Sequence, residues 1–271
     1  MAEPKVAEAQ QDKYPIISSY EMREYIREQG EYKPLVNVYS KIPSLDRAIE
    51  NFHDGELIAI SGPTKNGKTL FAQTLTKNFS EQQYFSLWFS YEVTPRGFIN
   101  CFDEKDLPMF FMPKSLEARN MDWVERKILE GLEKHNTRIV FVDHLHYLFD
   151  LVSRQNVSLT IGNVVRRLKG IAVKNKLIIF LLCHTAKPGG EGGELSYLSI
   201  RDSSFVAQES DTVFMVQRTG KEQGQVRVEF HRRTGCFNEI IPIMKHGKYF
   251  QEMIQEVSSG DYQESYKKRR K

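Results

Sequence analysis

The chain has 271 residues, of which 40% are hydrophobic and 27% are charged, and its net formal charge is +3. It can bury one substantial core but is short for two full-sized domains, and its longest apolar run, Leu177 to Cys183, is too short for a membrane span or a signal-peptide core. Because the last five residues are all basic, the first 266 carry −2, so global charge does not indicate nucleic-acid binding. We therefore expect one main domain without membrane segments.

The three cysteines, Cys101, Cys183 and Cys236, are far apart in the sequence and odd in number. This pattern argues against a disulfide framework and indicates a reducing compartment. We expect a cytoplasmic protein, located in the host cytoplasm if its source is viral.

The two ends of the chain differ in pattern from its middle. Residues 1–16 lack periodic apolar positions and are predicted to be disordered, whereas residues 17–35 are predicted to form a helix and linker for subunit packing. Between Ser18 and Glu31 the apolar spacing is loosely helical, but the apolar residues are too few to form a domain. The basic tail, residues 257–271, is either a solvated tail or a segment that contacts phosphates or directs targeting.

Between Leu57 and Ile243 short β-rich runs alternate with helical stretches, which predicts a mostly parallel sheet with crossover helices in an α/β domain over residues 36–256. The predicted strands are Leu57–Ser61, Tyr84–Ser90, Met109–Met112, Ile139–Asp143, Leu177–Cys183, Thr212–Gln217, Gln225–Phe230 and Glu239–Met244. The predicted helices are Lys68–Phe79, Pro95–Cys101, Met121–His135 and Ser158–Asn175. We expect antiparallel strands at the C-terminal edge and a flexible glycine-rich loop after the fifth strand.

The strongest functional signal is the stretch Gly62-Pro63-Thr64-Lys65-Asn66-Gly67-Lys68-Thr69, a P-loop pattern between a predicted strand and a predicted helix. Its glycines let backbone N–H groups and the helix N-terminus face phosphates, while Lys68 neutralises the β and γ oxygens and the Thr69 hydroxyl ligates Mg²⁺. The pattern predicts an ATP and Mg²⁺ site bound by residues Gly62 to Thr69 and by Leu70.

Three further residues are predicted to complete this site. Asp143 ends the apolar strand Ile139–Asp143, as a Walker B carboxylate does, and would be the second Mg²⁺ ligand; the alternative is an Asp that only caps a helix. Glu92 lies just past a strand and is the candidate general base, with an exposed loop carboxylate as the alternative. His184 ends another strand and is the candidate γ-phosphate sensor, or else only a satisfied polar residue.

His144 and His146 stand at alternate positions around Leu145, so both could face one way as a metal pair. Neither a Cys nor a further close ligand accompanies them in the sequence, which disfavours a zinc interpretation.

Five segments of the sequence carry a resemblance to one family. Ser90-Tyr91-Glu92-Val93-Thr94 is similar to a family segment whose Glu activates water, and Val142-Asp143-His144-Leu145 is similar to its Walker B segment. Cys183–Pro188 resembles its sensor segment, and Ser199–Ser204 with Gln208–Asp211 resembles the stretch that flanks its DNA-facing loop. From about Lys33 to Gln251 the chain resembles the RecA-like motor domain of DnaB-type replicative helicases, and in places phage primase-helicases and the mitochondrial helicase Twinkle.

The resemblance implies roles for residues beyond the ATP site. His231-Arg232-Arg233-Thr234-Gly235 is similar to a Lys-x-Arg-x-x-Gly element that reaches the neighbouring subunit's nucleotide, so Arg233 is the implied arginine finger. His231 stands where the family usually has Lys, and Ser204 where it has Gly. Arg218 matches a position that stacks on the nucleotide base in the phage branch, although a surface arginine is the alternative.

The family contacts DNA through loops that face the central channel of a ring. Here these loops are Ser153–Ser158 and Lys187–Leu198, and the implied DNA-binding residues are Lys187, Gly189, Gly190 and Arg201. The glycines would let backbone N–H groups approach phosphates, and the near absence of aromatic residues favours tracking of the backbone of one strand over reading of bases. A plain flexible connection is the alternative.

The sequence therefore predicts a RecA-like P-loop NTPase that works as a helicase motor in DNA replication. We expect an ATP hydrolase that uses ATP and Mg²⁺, translocates on single-stranded DNA and assembles as a homo-oligomeric, hexameric ring, with a separate primase or loader as a further partner and without a membrane partner. A RecA- or KaiC-type ATPase that binds DNA or protein without unwinding is the nearest alternative. A nucleotide-regulated scaffold and a small-molecule kinase are the others.

Overall fold

The fold is described from a computed structural model, which describes residues 16–30, 33–117, 120–148, 157–184 and 204–253. The candidate DNA-binding residues Lys187, Gly189, Gly190 and Arg201 lie outside these ranges, as do most of Ser153–Ser158 and both chain ends. Within these ranges no helix is long and apolar enough to cross a bilayer, and the three cysteines are free. The chain divides into two compact units, residues 1–34 and residues 35–271.

The described part of the first unit contains the helix α1 (Ser19–Gln29), close to the predicted bounds. Ser18 caps its N-terminus in a reciprocal arrangement, because the Glu21 amide donates to the Ser18 hydroxyl and the Ser18 amide donates to the Glu21 carboxylate. The helix has no buried residue, and Tyr20 and Ile26 expose 72% and 58% of their surface. The cap fixes where the helix begins, and the apolar side chains of the helix are exposed.

The second unit is an α/β domain. Its helices are α2 (Pro43–Ile49), α3 (Lys68–Ser80), α4 (Pro95–Ile99), α5 (Met121–His135), α6 (Val157–Asn175) and α7 (Ser204–Glu209), and one turn of 3₁₀ helix spans Leu145–Leu148. Its strands are β1 (Asn37–Val38), β2 (Phe52–His53), β3 (Leu57–Ser61), β4 (Ser86–Ser90), β5 (Phe110–Phe111), β6 (Ile139–Asp143), β7 (Ile178–Leu182), β8 (Thr212–Arg218), β9 (Gln223–His231), β10 (Phe237–His246) and β11 (Tyr249–Glu252).

Nine of these strands form one sheet in the order β11-β10-β9-β8-β3-β7-β6-β4-β5. The strands from β8 to β5 in this order pair in parallel, whereas β9, β10 and β11 pair antiparallel at one edge. This is the mostly parallel sheet with an antiparallel C-terminal edge that the sequence predicts, so the predicted fold class is confirmed. β1 and β2 form a separate two-stranded ribbon.

Both faces of the sheet are buried, as expected for parallel strands covered by crossover helices. On one face Ile58 and Ile60 of β3 pack in a cluster with Phe71 and Leu75 of α3. On the other face the alternate residues of the same strand, including Ala59, pack in a cluster with residues of α5 and α6. The period-2 alternation of strand side chains thus explains why every residue of β3 is buried.

Every predicted strand is present, but the sequence does not predict α2, α7, β1, β2 or β11. These elements are short, and contacts far along the chain fix them. The first turn of α2 is one example, because the Ser44 amide donates to the Glu252 carboxylate of β11 at 2.9 Å. Four predicted elements are shorter than expected, since α4 ends at Ile99, β5 contains only Phe110 and Phe111, β4 begins at Ser86 and β7 spans Ile178–Leu182.

Candidate nucleotide site

The predicted P-loop joins β3 to α3 and depends on two glycines. Gly62 has φ +146°, and a Cβ atom there would lie 2.1 Å from the Val216 carbonyl oxygen of β8. Gly67 has φ +96°, and its Cβ atom would lie 3.0 Å from the ring of Phe250. A larger residue at Gly62 would displace the backbone of β8, and one at Gly67 would be strained by the positive φ and would push against the Phe250 ring. The two glycines therefore allow the loop to curl around the N-terminus of α3.

Lys68 is the first residue of α3, and its side chain folds back over the loop. Its Nζ donates to the Gly62 and Pro63 carbonyl oxygens at 2.9 and 3.0 Å. Burial lowers the pKa of this ammonium, while the nearby Glu92 and Asp143 carboxylates act in the opposite direction. The loop thus encloses one buried positive charge at the place where the sequence predicts phosphates.

Thr69 and Asp143 meet although they are 74 positions apart in the chain. The Thr69 hydroxyl donates to Asp143 Oδ2 at 3.1 Å. Burial, together with the charge of Glu92, raises the pKa of Asp143 to about 7, although Thr69 and Lys68 act in the opposite direction. Two oxygen donors on adjoining elements are the ligand type that Mg²⁺ prefers, so these residues fit the predicted metal.

The open side of the P-loop faces the antiparallel edge of the sheet. The Arg218 amide donates to Asn66 Oδ1 at 2.9 Å, which ties the loop to the end of β8, and the Arg218 guanidinium donates to the Lys221 carbonyl. A hollow of about 390 Å³, including its open mouth, adjoins the loop. It is lined by Lys65, Gly67, Leu70, Arg218, Lys221, Glu222, Gln223, Lys245 and Phe250. The predicted base-stacking residue Arg218 therefore borders a space next to the P-loop.

Several residues of this hollow are not predicted from the sequence, Phe250 above all. Its backbone amide donates to Thr74 Oγ1 of α3 at 2.9 Å, which places β11 against the P-loop helix. A signal for this hairpin does exist in the sequence, because Gly247 follows a strand and precedes the aromatic pair Tyr249 and Phe250. Gly247 has φ +60° in the turn.

Glu92, His144 and His184 come together just after the adjacent strands β4, β6 and β7. Each offers one nitrogen or oxygen atom, and the three atoms lie within 4.8 Å of one another. The His144 and His184 ring centroids are 3.9 Å apart. The sequence predicts Glu92 and His184 at one edge of the sheet. It suggests His146 as the partner of His144 in a metal pair, whereas the structure places His144 against His184. The side chain of His146 is not among those that the structure describes.

Arg233, the implied arginine finger, contacts residues of its own chain. Its Nε donates to Glu56 Oε1 at 3.1 Å. One terminal nitrogen also donates to the Ile49 and Asn51 carbonyl oxygens at 2.7 and 2.8 Å, at the end of α2. His231 lies 3.5 Å from the same Glu56 oxygen through Nε2. The turn after β9 is thereby attached to the segment that precedes β3.

The acidic residues of Gln208–Asp211 bind other parts of the same domain. Asp211 Oδ2 accepts from the Leu57 amide at 2.7 Å and from Lys169 Nζ at 2.6 Å. Glu209 accepts from Arg166 of α6 at 2.9 Å. These contacts join α6 and α7 to the start of β3, so this segment has a clear role in packing within the domain.

The P-loop follows β3 in the middle of a mostly parallel sheet, and Asp143 ends β6, two strands away. This arrangement defines a RecA-like P-loop fold. No protein-family model matches the sequence, and no curated protein matches it. Similar solved structures include the following two. One is a DnaB-like replicative helicase described with its interactions with primase, at 16% identity and a TM-score of 0.72 over 87% of this chain and 68% of that chain. The other is described as an ATPase domain, at 16% identity and a TM-score of 0.71 over 86% of this chain and 97% of that chain.

At this identity the likeness concerns the fold. The chain has the fold of the DnaB-type helicase motor domain, which confirms the resemblance in the sequence at the level of architecture.

Proposed function

We propose that this chain is an ATP-driven DNA helicase motor of the DnaB type, which acts as a ring and translocates on single-stranded DNA during replication. The observation that carries the proposal is the convergence of Lys68, Thr69 and Asp143 around one loop, in a domain with the fold of a replicative helicase motor. The proximity of Glu92 and His184 at the same edge of the sheet supports the proposal.

The roles in ATP hydrolysis follow from the chemistry of these side chains. The P-loop amides and Lys68 would hold the phosphates, and Thr69 and Asp143 would hold Mg²⁺. When bound, Mg²⁺ neutralises charge that develops on the phosphate oxygens. Glu92 would take a proton from the attacking water, and His184 would contact the γ-phosphate.

A ring would complete the site between subunits. Arg233 would place its positive charge on the γ-phosphate bound by the neighbouring subunit, as an arginine finger does. In the described conformation its guanidinium is held by Glu56 and by carbonyl oxygens at and just after the end of α2. Those contacts must be exchanged for a phosphate before Arg233 can act, so we propose that ring assembly and activation are coupled.

The DNA contacts in this proposal are Lys187, Gly189, Gly190 and Arg201. A primase or a loader is the proposed further partner, since the DnaB-like helicase of similar fold was described with its interactions with primase.

The decisive experiment is strand displacement on a forked DNA duplex with one labelled strand. We expect unwinding with ATP and Mg²⁺, no unwinding with a non-hydrolysable ATP analogue, and faster ATP hydrolysis when single-stranded DNA is added. ATP hydrolysis without strand displacement, together with an absence of rings in particle images, would favour the RecA- or KaiC-type alternative. Absence of ATP hydrolysis would favour the scaffold.

A further inference from the structure

We propose that Glu92, His144 and His184 form a binding site for a transition-metal ion, with Zn²⁺ as the physiological candidate, next to the proposed Mg²⁺ position. The site is defined by three side chains that follow three adjacent strands, and it does not use Thr69 or Asp143.

The backbone holds the three residues in place. In the parallel register Ser90 of β4 lies opposite Asp143 of β6, and Val142 of β6 lies opposite Leu181 of β7. The residues that follow these strand ends, Glu92, His144 and His184, therefore emerge side by side at one edge of the sheet. A parallel ladder is rigid, so a ligand set on its strand ends is preorganised.

The spacing of the ligand atoms suits a small cation. All three lie within 4.8 Å of one another, and Zn–N and Zn–O bonds of about 2.0–2.2 Å require neighbouring ligand atoms to be about 3.3–3.6 Å apart in a tetrahedron. The largest closure needed is therefore on the order of 1.5 Å. Glu92 is exposed and can move toward the two histidines by rotation, whereas His144 is buried at 5% exposure and provides a fixed ligand.

The chemistry of the ligands selects against Mg²⁺. Two imidazoles and one carboxylate are a ligand set for Zn²⁺, Co²⁺ or Fe²⁺, whereas Mg²⁺ prefers oxygen atoms only. Three protein ligands also leave a coordination position open for water or a phosphate oxygen. Asp143 lies within electrostatic reach of Glu92 and adds negative charge near the cation, while Lys68, also within reach of Glu92, opposes binding.

Occupation of this site would stop hydrolysis of ATP, a consequence that rests on the proposed function. A metal bound to Glu92 withdraws the carboxylate that would accept a proton from water. It also holds His184 away from a γ-phosphate. Zn²⁺ would thus inhibit the motor directly at its general base.

The site is tested by titrating the metal-free full chain with Co²⁺ and recording its visible absorption. We expect one Co²⁺ per chain, and at least about a tenfold loss of affinity in each of Glu92→Gln, His144→Asn and His184→Asn, because each removes a direct ligand. His246→Asn, a change at an exposed histidine of β10, is the matched control and should bind Co²⁺ like the unmodified chain. Circular dichroism checks that each variant is folded, and the exposed Glu92 gives a test that does not depend on a buried substitution.

Two competition experiments separate this site from others. Excess Zn²⁺ should displace Co²⁺, whereas millimolar Mg²⁺ should not; displacement by Mg²⁺ would place the ion on the oxygen ligands of Thr69 and Asp143 and overturn the proposal. His146→Asn should leave Co²⁺ binding intact. If His146→Asn loses Co²⁺ binding while His184→Asn keeps it, the proposal is also overturned. Unchanged binding in Glu92→Gln and His184→Asn would do the same.

The inhibitory effect has a separate readout. Micromolar Zn²⁺ should slow ATP hydrolysis in excess Mg²⁺, and His144→Asn should need at least about tenfold more Zn²⁺ for the same inhibition. Equal sensitivity of the variant and the unmodified chain would exclude inhibition through this site. If the chain hydrolyses no ATP, the proposed function fails, and the Co²⁺ titration still decides whether the metal site exists.

Discussion

Arg233 and Glu56, which are 177 positions apart in the chain, form an ion pair in which Arg233 Nε donates to Glu56 Oε1 at 3.1 Å. Glu56 also accepts from the His53 amide at 3.1 Å. Burial raises the pKa of Glu56, but His231, the His53 amide and Arg233 together outweigh it and hold this pKa below its usual value. The residue implied to act in a neighbouring subunit is thus part of a partly buried electrostatic contact in its own chain.

We expect Glu56→Gln to destabilise the fold by about 1–3 kcal/mol at pH 7, because it weakens charge-assisted hydrogen bonds at a buried site. A carboxyl whose pKa is lower in the folded state stabilises the fold above its unfolded pKa, and this contribution is lost as pH falls through the folded pKa. The difference in thermal midpoint between the unmodified chain and Glu56→Gln should therefore shrink below about pH 4. A difference that does not vary with pH would contradict the assignment, and Glu104→Gln, at an exposed position, is the control.

Lys68→Ala should abolish ATP hydrolysis, with a loss of at least about 100-fold, because it removes the charge that neutralises the phosphates. The fold should remain intact, since Lys68 Nζ contacts two loop carbonyl groups and contributes little to the core. Lys77→Ala, near the other end of α3, is the matched control. Normal hydrolysis by a folded Lys68→Ala chain would remove the nucleotide assignment.

Glu92→Gln should still bind ATP but hydrolyse it about 10²–10⁴-fold more slowly, because the amide keeps the shape of the side chain and loses its basicity. Fluorescent nucleotide binding and phosphate release measure the two effects separately. Glu133→Gln, at an exposed position of α5, serves as the control. Weak ATP binding with unchanged turnover of the bound nucleotide would identify Glu92 as a structural residue instead.

Arg233→Ala should bind ATP and hydrolyse it about 10³–10⁵-fold more slowly if Arg233 acts on a neighbouring subunit's nucleotide. Mixing this variant with Lys68→Ala should restore part of the activity, because one mixed interface combines an intact P-loop with an intact finger. Subunit exchange must first be shown with labelled protein. If exchange occurs and the mixture stays inactive, Arg233 does not act between subunits.

The intrachain contacts of Arg233 require a stability control in that experiment. Arg233→Ala also removes hydrogen bonds to the Ile49 and Asn51 carbonyl oxygens, so part of its effect could come from a loosened α2. Glu56→Gln disturbs the same contact without removing the guanidinium. A comparable loss of turnover in Glu56→Gln would assign the effect to the fold, whereas a loss confined to Arg233→Ala would support the finger.

Deletion of residues 1–31 should lower the stability of the ring, measured as a shift to smaller species in sedimentation. The physical reason is that α1 exposes Tyr20 and Ile26 and has no buried residue of its own, so its apolar face needs a partner surface. Tyr20→Ser with Ile26→Ser should reproduce the effect, while Glu28→Gln on the same helix should not. Identical assemblies with and without the segment would exclude a role in packing between subunits.

The amino-acid sequence determines the elements that depend on residues close together in the chain. The P-loop is visible because its glycines, Lys68 and Thr69 are consecutive, and β3 and β6 have the predicted bounds because their apolar runs end where polar residues begin. The start of α5 is also determined by nearby residues, since the Asn120 side chain accepts a hydrogen bond from the Trp123 amide three residues later.

Only the tertiary structure decides which residues meet across the sheet. The order of the strands places His144 beside His184, whereas adjacency in the sequence suggests His146. In the same way the position of β11 places Phe250 against Gly67, and the turn after β9 places Arg233 on Glu56. Hydrophobic periodicity indicates which face of a strand is buried, but many orders of parallel strands bury the same faces. The pairing of strands, and with it the partners of each functional side chain, depends on packing between segments that are distant in the chain.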